Sequence, residues 1–312
     1  MLDVTRLRVL VAVARHGSVT AAARALNYAQ PSVSHHLARL EAETGAKLIQ
    51  RAGRGVRLTE AGRLLADRAA EVLGRLDAAE AELAAHAGLR TGRVRLAAFG
   101  SALGTIVPSA AAILREGHPG VDIRLIDAEP PEALRMLRTG YVDAAVVFRY
   151  CQGGDAAVPP GPGDAGSRDR LLLDEPVHLI TPARDPPGPC EPDLARYAGC
   201  RWIAGCERCR GYLLTRCSLA GFTPAIACTT DDYVAVQALV AAGLGVATLP
   251  GLALRAARHP GIRAVELPGT RRHVFAIWYG DPPDPPATIR LIDALTAAAR
   301  ALTAGPSARV MP

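Results

Sequence analysis

Two glycines and a polar turn divide the first 45 residues into three short segments that each show helical periodicity. The spacing of apolar residues predicts helices over 3–16, 19–26 and about 30–44. Gly17 and Gly45 end the first and third, because glycine readily adopts the left-handed conformation that terminates helices. Four apolar residues can form a small core between the second and third helices: Ala22, Leu26, Val33 and Leu37.

The third segment carries polar side chains on the faces that this core does not use. They are Gln30, Ser32, Ser34, His35, His36 and Arg39. Glutamine can bond an adenine edge in two places, serine can bond several base edges, and arginine or histidine can meet guanine or phosphate. In a helix-turn-helix the second helix of the pair lies in the major groove of DNA. The pattern also fits an ordinary three-helix bundle with a solvated polar face.

A basic hairpin is predicted over 46–59, with two short strands around 52–55. Arg51, Arg54 and Arg57 are placed there to touch the DNA backbone or the minor groove. Residues 1–60 hold nine Lys or Arg and four Asp or Glu, a balance of +5 in a chain whose net charge is +6. A general preference for arginine does not explain this concentration, which is typical of a nucleic-acid-binding segment.

A long helix is predicted from Thr59 to about Ala87, with a narrow apolar stripe. The stripe residues alternate in steps of four and three, which is a heptad pattern: Leu65, Ala69, Val72, Leu76, Ala79 and Leu83. Such a seam has no expected partner within the N-terminal domain. The pattern therefore predicts that a second copy of the chain pairs along it.

From Thr91 onward, short apolar strands alternate with helical stretches, a rhythm that favours βαβ units and a parallel sheet. A loop rich in Pro, Gly and Asp at 151–169 separates two sets of such units. No apolar run reaches the length of a membrane helix, and the N-terminus does not resemble a signal peptide. A cytoplasmic location is therefore expected, and the seven cysteines should be reduced thiols.

The run GSVTAAARALNYAQPSVSHHLARLEAETGAKLIQRAGRGVRLTEAG at 17–62 resembles the N-terminal domain of LysR-type transcriptional regulators. DAAVV at 143–147 and LVAAGLGVATLP at 239–250 resemble the sensing domain of the same family. The resemblance implies an N-terminal all-α winged helix-turn-helix with a long linker helix. It also implies a C-terminal α/β sensor domain of two subdomains joined by crossing strands, like periplasmic binding proteins.

The resemblance implies a domain organisation. The expected parts are a DNA-binding domain at 1–58, a linker and dimerisation helix at 59–88, one effector-binding subdomain at 92–167 and 281–304, a second at 168–280, and a disordered tail at 305–312. Gln30, Pro31, Ser32, Ser34, His35 and Arg39 fall on DNA-facing or DNA-adjacent positions. Two residues depart from the family pattern: Ala29 stands where a capping Ser or Thr is common, and His36 where Gln is frequent.

The partners implied are double-stranded promoter DNA, further copies of the chain in a dimer or tetramer, a small-molecule effector and RNA polymerase. No catalytic residue or cofactor is expected, because the chain has no nucleophile elbow, phosphate loop or dinucleotide fingerprint. No metal ligand is assigned, although metal binding stays one of the interpretations of the cysteines given below. Two rival interpretations are a thiol enzyme that uses Cys206 and an architectural DNA-binding protein. The first leaves the basic segment and the heptads unexplained, and the second leaves the α/β region without a role.

An effector in such a sensor lies against the ends of strands and the beginnings of helices. Six residues at these places are candidates: Ser101, Glu129, Arg149, Cys206, Thr230 and Asp231. A hydroxyl can bond a carboxylate or an amine, Arg149 can pair with an acid, and Glu129 or Asp231 with a cation. Each also fits a plainer role as a helix cap or a solvated charge, and Ser101 and Asp231 in particular resemble helix N-caps.

Four cysteines form the pattern C-x5-C-x2-C-x7-C: Cys200, Cys206, Cys209 and Cys217. A helix N-terminus together with Arg208 and Arg210 would lower the pKa of a thiol there. Three interpretations remain open, namely structural thiols, a redox switch that closes a Cys206–Cys209 disulfide, and metal binding. A single Cys-x-x-Cys lacks the second pair that marks strong zinc sites.

Overall fold

The computed structural model describes residues 2–52, 55–86, 92–152, 166–184, 193–279 and 284–304, which divide into two compact units. The first unit comprises the chain up to Gly92 together with 135–143, and the second holds the rest. The first unit begins with α1 (Val4–His16), α2 (Val19–Ala25) and α3 (Gln30–Thr44). The three predicted helices are therefore confirmed, and the third has the predicted bounds.

Local capping explains where these helices begin and end. The side chains of Asp3 and Ser18 accept hydrogen bonds from backbone N–H groups in the first turns of α1 and α2. Gly17 and Gly45 adopt φ of 61° and 68°, the left-handed conformation that ends a helix. Ala29 precedes α3 without any side-chain cap, as its methyl group requires.

A two-stranded hairpin and a long helix complete the N-terminal part of the first unit. β1 (Ile49–Ala52) pairs antiparallel with β2 (Gly55–Leu58), which confirms the predicted wing, and α4 spans Glu60–His86. The core joins α1, α3, the wing and the first half of α4. Its larger buried members include Leu7, Leu10, Val33, Leu37, Leu40, Leu48 and Leu73.

The second unit is built on one mixed sheet of eight strands. They are β3 (Gly92–Ala98), β4 (Val121–Asp127), β5 (Ala144–Gln152), β6 (Ser167–Pro182), β7 (Arg201–Ala204), β8 (Ala225–Thr229), β9 (Val246–Pro250) and β10 (Ile262–Tyr279), in the order β4-β3-β5-β10-β6-β9-β7-β8. β3 runs parallel to β5, and β7 runs parallel to both β8 and β9.

The expectation of a parallel sheet holds only for these two outer groups. β10 is antiparallel to β5 and to β6, and β6 is antiparallel to β9. The long strands β6 and β10 thus join the two groups. The strand predicted at 273–280 is only the last part of β10, because Pro268 and Gly269 interrupt its apolar pattern where the pairing with β6 shifts register between Glu266 and Arg271.

Short helices connect the strands. They are α5 (Gly100–Leu103), α6 (Ile106–Gly117), α7 (Pro130–Arg138), a 3-10 turn (Leu194–Tyr197), α8 (Glu207–Leu219), α9 (Tyr233–Ala241), α10 (Gly251–Ala256) and α11 (Pro286–Ala304). The helix predicted at about 103–117 is α6, which begins three residues later, whereas α5 and α10 were not predicted. The sheet carries apolar clusters that include Phe99, Phe148 and Leu295, then Trp202 and Leu213, then Ile203 and Val236. Within the described residues, no helix combines the length and hydropathy needed to span a bilayer.

Candidate functional sites

The polar face of α3 lies open to solvent. Val33, Leu37 and Leu40 are buried in the core, which fixes the rotation of the helix. The residues exposed on the other faces are Gln30, Pro31, Ser32, Ser34, His35 and Arg39. His36 is half-buried and stacks on Tyr28, with ring centroids 5.9 Å apart. A helix held by one apolar face and exposing this set of donors and acceptors can present them to a groove of DNA.

Glu41 fixes the position of the wing against α3. One carboxylate oxygen of Glu41 accepts hydrogen bonds from the amides of Leu48 (2.9 Å) and Ile49 (3.3 Å), and the other contacts Lys47 Nζ at 2.8 Å. Burial alone would raise the pKa of Glu41, but these hydrogen bonds lower it overall. Arg57 of the wing is exposed, whereas Arg54 and the side chain of Arg51 lie outside the described residues.

The apolar stripe of α4 serves two purposes. Ala69 is buried and Leu65 packs against the core of the first unit, so this half of the stripe has a partner within its own chain. Farther along, Val72, Leu76 and Leu83 are 49%, 39% and 70% exposed. The expectation that the seam has no partner within the N-terminal domain therefore fails for Leu65 and Ala69, because α4 packs against α1. The other three side chains remain exposed.

A buried ion pair forms the centre of the candidate effector site in the second unit. Arg272 and Glu175 are 2% and 3% exposed, and Arg272 Nε donates to Glu175 Oε1 at 2.6 Å. Arg272 Nη2 donates to Ser101 Oγ at 3.2 Å, and the other oxygen of Glu175 accepts from the Leu252 amide at 2.5 Å. The pair thereby connects β10, β6 and the starts of α5 and α10.

Aromatic rings enclose the guanidinium of this pair. The carbon at its centre lies 4.8 Å from the ring centroid of Phe99 and 4.5 Å from that of Phe148, distances typical of cation–π contacts. Burial alone would lower the pKa of Arg272, but the Glu175 carboxylate raises it overall. The guanidinium is therefore a permanent positive charge whose main counterion is already inside the protein.

Cys206 and Cys209 adjoin the ion pair at the start of α8. Their sulfur atoms are 2.9 Å apart, and Tyr150 Oη donates to Cys209 Sγ at 3.4 Å. The hydrogen bond from Cys206 lowers the pKa of Cys209, with further lowering from Tyr150 and Arg272. The same contact raises the pKa of Cys206, and burial adds to this. Cys209 is therefore the thiol that ionises first.

Glu129 is the acidic member of the cluster. Burial raises the pKa of its carboxyl group, a hydrogen bond with Cys206 opposes the shift, and the charge of Asp231 reinforces it. One oxygen, Oε2, is buried without a hydrogen-bond partner. A carboxyl group in this position accepts a donor from a ligand or keeps its own proton.

The remaining effector candidates are placed less centrally. Thr230 is half-buried, and its hydroxyl accepts from the amide of Asp232 at 3.3 Å. Asp231 is exposed and is not the cap of α9, because Asp232 caps that helix. Arg149 is opposite His273 in the β5–β10 register, so it faces the side of the sheet away from Arg272.

The predictions for Ser101 and for Cys209 need correction. Ser101 is not an N-cap, since α5 begins at Gly100 and Phe99 precedes it, and Ser101 bonds Arg272 instead. The pKa of Cys209 is lowered through Cys206, Tyr150 and Arg272, and not through the expected neighbours Arg208 and Arg210, whose side chains are not among the causes of the shift.

The four-cysteine pattern does not converge in space. Cys217 is buried in the separate cluster around Trp202, where burial raises its pKa to about 11. Cys200 packs at the edge of that same cluster, away from the Cys206–Cys209 pair. Across the residues that the structure describes, no group of three His, Cys, Asp or Glu side chains is arranged to hold a metal ion. The interpretation as a metal site therefore receives no support from these residues.

Sequence reasoning missed the ion pair and the two tyrosines of the cluster. Tyr150 and Tyr212 stack with centroids 4.1 Å apart, next to the thiols. Arg272 was overlooked although it alternates with Val274 along an apolar strand, a period-two signal for a charged residue that faces the interior. Glu175 alternates with Leu173 along β6 in the same way. The alternation was visible in the sequence, but only the pairing of the strands shows which residues these charged side chains face.

Taken together, a helix-turn-helix unit with a basic wing and an α/β unit with a buried polar cluster define the class of two-part bacterial transcription regulators. The model of bacterial regulatory helix-turn-helix proteins of the lysR family matches residues 4–63, and that of the LysR substrate binding domain matches residues 87–300. The chain belongs to the LysR family. The families matched are regulators and not enzymes.

Similar proteins agree with this assignment. A probable regulator named LrrA from Synechococcus elongatus is 34% identical over 146 residues, covering 47% of this chain and 50% of that protein. A probable hydrogen peroxide-inducible genes activator from Mycobacterium avium is 31% identical over 277 residues, covering 82% and 85%. The chain spans about half the length of the first curated relatives that it matches.

The same fold occurs in a solved structure of a full-length OxyR variant from Pseudomonas aeruginosa. The TM-score is 0.68 and the identity 23%, with 96% of this chain and 95% of that chain covered. At this level of identity the likeness concerns the fold.

Proposed function

We propose that the protein is a sequence-specific regulator that binds double-stranded promoter DNA through α3 and the wing. The open face of α3 is the observation that carries this proposal, because the six exposed residues named above and the adjacent basic hairpin match what major-groove recognition requires. A positive balance of +5 in residues 1–60 supports electrostatic attraction to DNA. The proposed DNA contacts also include Arg51 and Arg54 of the wing.

The test is a binding titration on the upstream region of the protein's own gene and on random DNA at several salt concentrations. We expect the upstream region to be preferred by about 10³-fold or more. Arg39→Ala should weaken specific binding by about 1–3 kcal/mol, the value of a good base contact. Arg115→Ala, an exposed arginine on α6, is the matched control and should bind normally. Equal weakening in both variants would refute the assignment.

We further propose that two copies pair along the exposed part of the α4 stripe. Val72, Leu76 and Leu83 present apolar surface at heptad spacing, which favours a helix–helix partner. Pairing lets two recognition helices engage two half-sites together. A tetramer, contact with RNA polymerase, the domain boundaries given above and a cytoplasmic location stay predictions.

We propose that a small-molecule effector controls DNA binding from the cluster around Ser101, Glu129 and Cys206, with Thr230 and Asp231 at its margin. Glu129, which follows β4, contacts Cys206, which follows β7, so strand ends and helix starts from both groups of parallel strands meet there, the usual situation of a ligand in such folds. Promoter footprinting with and without candidate metabolites tests this. Glu129→Gln should change the response to an effector but leave the basal footprint intact, and an unaltered response would remove Glu129 from the site.

A redox response through Cys206 and Cys209 is the second candidate, favoured by the 2.9 Å between their sulfur atoms. The Cys209 thiolate would attack a peroxide oxygen to give a sulfenic acid, and Cys206 would displace water from it to close a disulfide, so that two thiols reduce one peroxide to two waters. A peroxide-dependent footprint that is lost in Cys206→Ser/Cys209→Ser, but kept in Cys200→Ser, supports this candidate. Identical footprints with and without peroxide would mean that Cys206 and Cys209 have a structural role only.

A further inference from the structure

Three chemically active side chains share one side of the sheet at its centre, on neighbouring strands. Cys151 lies at the end of β5, His273 on β10 and Asp174 on β6. His273 is directly opposite Asp174, and Cys151 is opposite Arg271, two residues along β10. Residues in these register positions project to the same side. The buried Arg272 cluster occupies the other side.

The imidazole of His273 connects the other two groups. Cys151 Sγ lies 3.0 Å from His273 Nδ1, and His273 Nε2 lies 3.4 Å from Asp174 Oδ1. The His273 side chain is 10% exposed, whereas Cys151 is half-buried and reachable from solvent. Arg271 Nε holds the same Asp174 oxygen at 2.7 Å. In the neutral tautomer whose Nε2–H faces the Asp174 carboxylate, Nδ1 is an acceptor for the thiol proton.

This arrangement suits proton transfer and not metal binding. A chelated ion would need all three donors to face one point, but the thiol and the carboxylate lie at the two different nitrogens of one ring. A nucleophile, a base and a group that orients the base form the arrangement that activates thiols in proteins. The strands hold all three side chains, so the geometry does not depend on a loop.

We propose that Cys151 is a nucleophilic thiol that is modified by soft carbon electrophiles of the α,β-unsaturated carbonyl class. The thiol proton moves to His273 Nδ1, and the sulfur lone pair forms a bond to the β-carbon of the electrophile. The π electrons of its double bond shift to the carbonyl oxygen as an enolate. The imidazolium returns the proton to the α-carbon, so the thiol adds across the double bond without any oxidant or reductant.

The base favours this electrophile class over a disulfide. Conjugate addition leaves a carbanion equivalent that needs a proton at the same place, and protonated His273 supplies it. Thiol–disulfide exchange releases a stable thiolate and needs no such acid. The site is separate from the Cys206–Cys209 pair. The sulfur of Cys209 contacts the Cys206 thiol and the Tyr150 hydroxyl.

The position of the site connects it to the sensor. His273 follows Arg272 in β10, so a group attached beside His273 presses on the strand that places the buried ion pair on the opposite side. β10 also joins the two groups of parallel strands. A bulky adduct at Cys151 therefore acts on the strand that both groups share.

The test is a rate measurement on the reduced full-length protein. N-ethylmaleimide, an α,β-unsaturated dicarbonyl compound, is added below stoichiometry, and peptide mapping by mass spectrometry gives a rate for each cysteine. Cys200 and Cys228 are half-buried free thiols and serve as internal references. We expect Cys151 to react at least about tenfold faster than both. Equal rates, or faster labelling of Cys206 or Cys209, would overturn the proposal.

Variants identify the cause of the reactivity. His273→Gln should lower the Cys151 rate about tenfold or more, Asp174→Asn should lower it less, and neither should alter the Cys200 or Cys228 rates. Cys206→Ser/Cys209→Ser should leave the Cys151 rate unchanged, which separates this site from a redox response. An unaltered Cys151 rate in His273→Gln would refute base assistance. A larger preference for Cys151 with oxidised glutathione than with the maleimide would refute the electrophile class.

Discussion

Replacing Arg272 with methionine tests whether the buried ion pair holds the second unit together. The substitution removes the bond to Glu175 at 2.6 Å, the bond to Ser101 at 3.2 Å and both aromatic contacts. It leaves Glu175 as an uncompensated charge that is 3% exposed. Breaking a buried pair in this way costs about 3–5 kcal/mol, because the remaining carboxylate has lost both water and its counterion.

The companion variant separates pairing from packing. In Arg272→Met/Glu175→Met no buried charge remains, and apolar replacement of a buried pair is often close to neutral. The Leu252 amide then lacks its acceptor, which costs about 1–3 kcal/mol. The double variant should therefore be more stable than the single Arg272→Met variant. With Glu175→Met as the second single variant, the complete cycle should give a coupling energy of at least about 1 kcal/mol.

Urea unfolding followed by tryptophan fluorescence measures this unit selectively. The chain has two tryptophans, Trp202 and Trp278, and both belong to the second unit. Both tryptophan side chains are buried in the folded protein and become exposed when that unit unfolds. The first unit contributes no tryptophan signal, so the transition reports the free energy of unfolding where the substitution lies.

The control is Arg115→Met, which removes an exposed arginine and should shift the free energy of unfolding by no more than about 0.5 kcal/mol. A coupling energy below about 0.5 kcal/mol would show that Arg272 and Glu175 act independently. The ion pair would then not be the organising contact of the cluster.

Three further predictions concern other parts of the chain. Burial raises the pKa of Glu129 above its ordinary value of 4.5, so the folded protein favours the protonated carboxyl group. This contribution to stability is fully present below 4.5 and is lost as the pH rises through the folded-state pKa. Glu129→Gln should therefore raise the urea midpoint at pH 8 and leave it almost unchanged at pH 4, and equal shifts at both values would contradict the sign. Leu76→Asp should convert the oligomer to monomers in analytical ultracentrifugation and weaken promoter binding, because a charge replaces apolar surface on the α4 stripe. A variant that still forms a dimer through α4 would refute the proposed pairing along this stripe. Asp232→Ala should cost about 1 kcal/mol by removing the cap of α9, while Asp232→Asn keeps most of it, as thermal unfolding can check.

Local chemistry explains why the N-terminal part was predictable. Capping side chains specify where α1 and α2 begin, glycines specify where α1 and α3 end, and the apolar period specifies which face is buried. Both signals act within a few residues along the chain. The exposed positions of Gln30, Ser34 and Arg39 follow directly, since burying Val33 and Leu37 leaves only one rotation for the helix.

The effector candidates were predictable only in part. Ser101, Glu129 and Cys206 lie at strand ends or helix starts that the α/β pattern places at one edge, and they do adjoin the cluster. Arg149 does not, because side chains alternate along a strand and the register with β10 turns it to the other side. A shift of one position in a predicted strand reverses such an assignment.

The amino-acid sequence alone determined the succession of short helices, the wing, the linker helix and the α/β class, because each depends on contacts between near neighbours. Tertiary structure decided which side chains meet in the sensor domain. Glu175 and Arg272 are 97 positions apart, as are Asp174 and Arg271, and only the long antiparallel pairing of β6 with β10 brings them together. That pairing places the ion pair on one side of the sheet and His273 with Asp174 on the other, since adjacent residues of a strand project in opposite directions, and the pairing of β5 with β10 adds the Cys151 thiol.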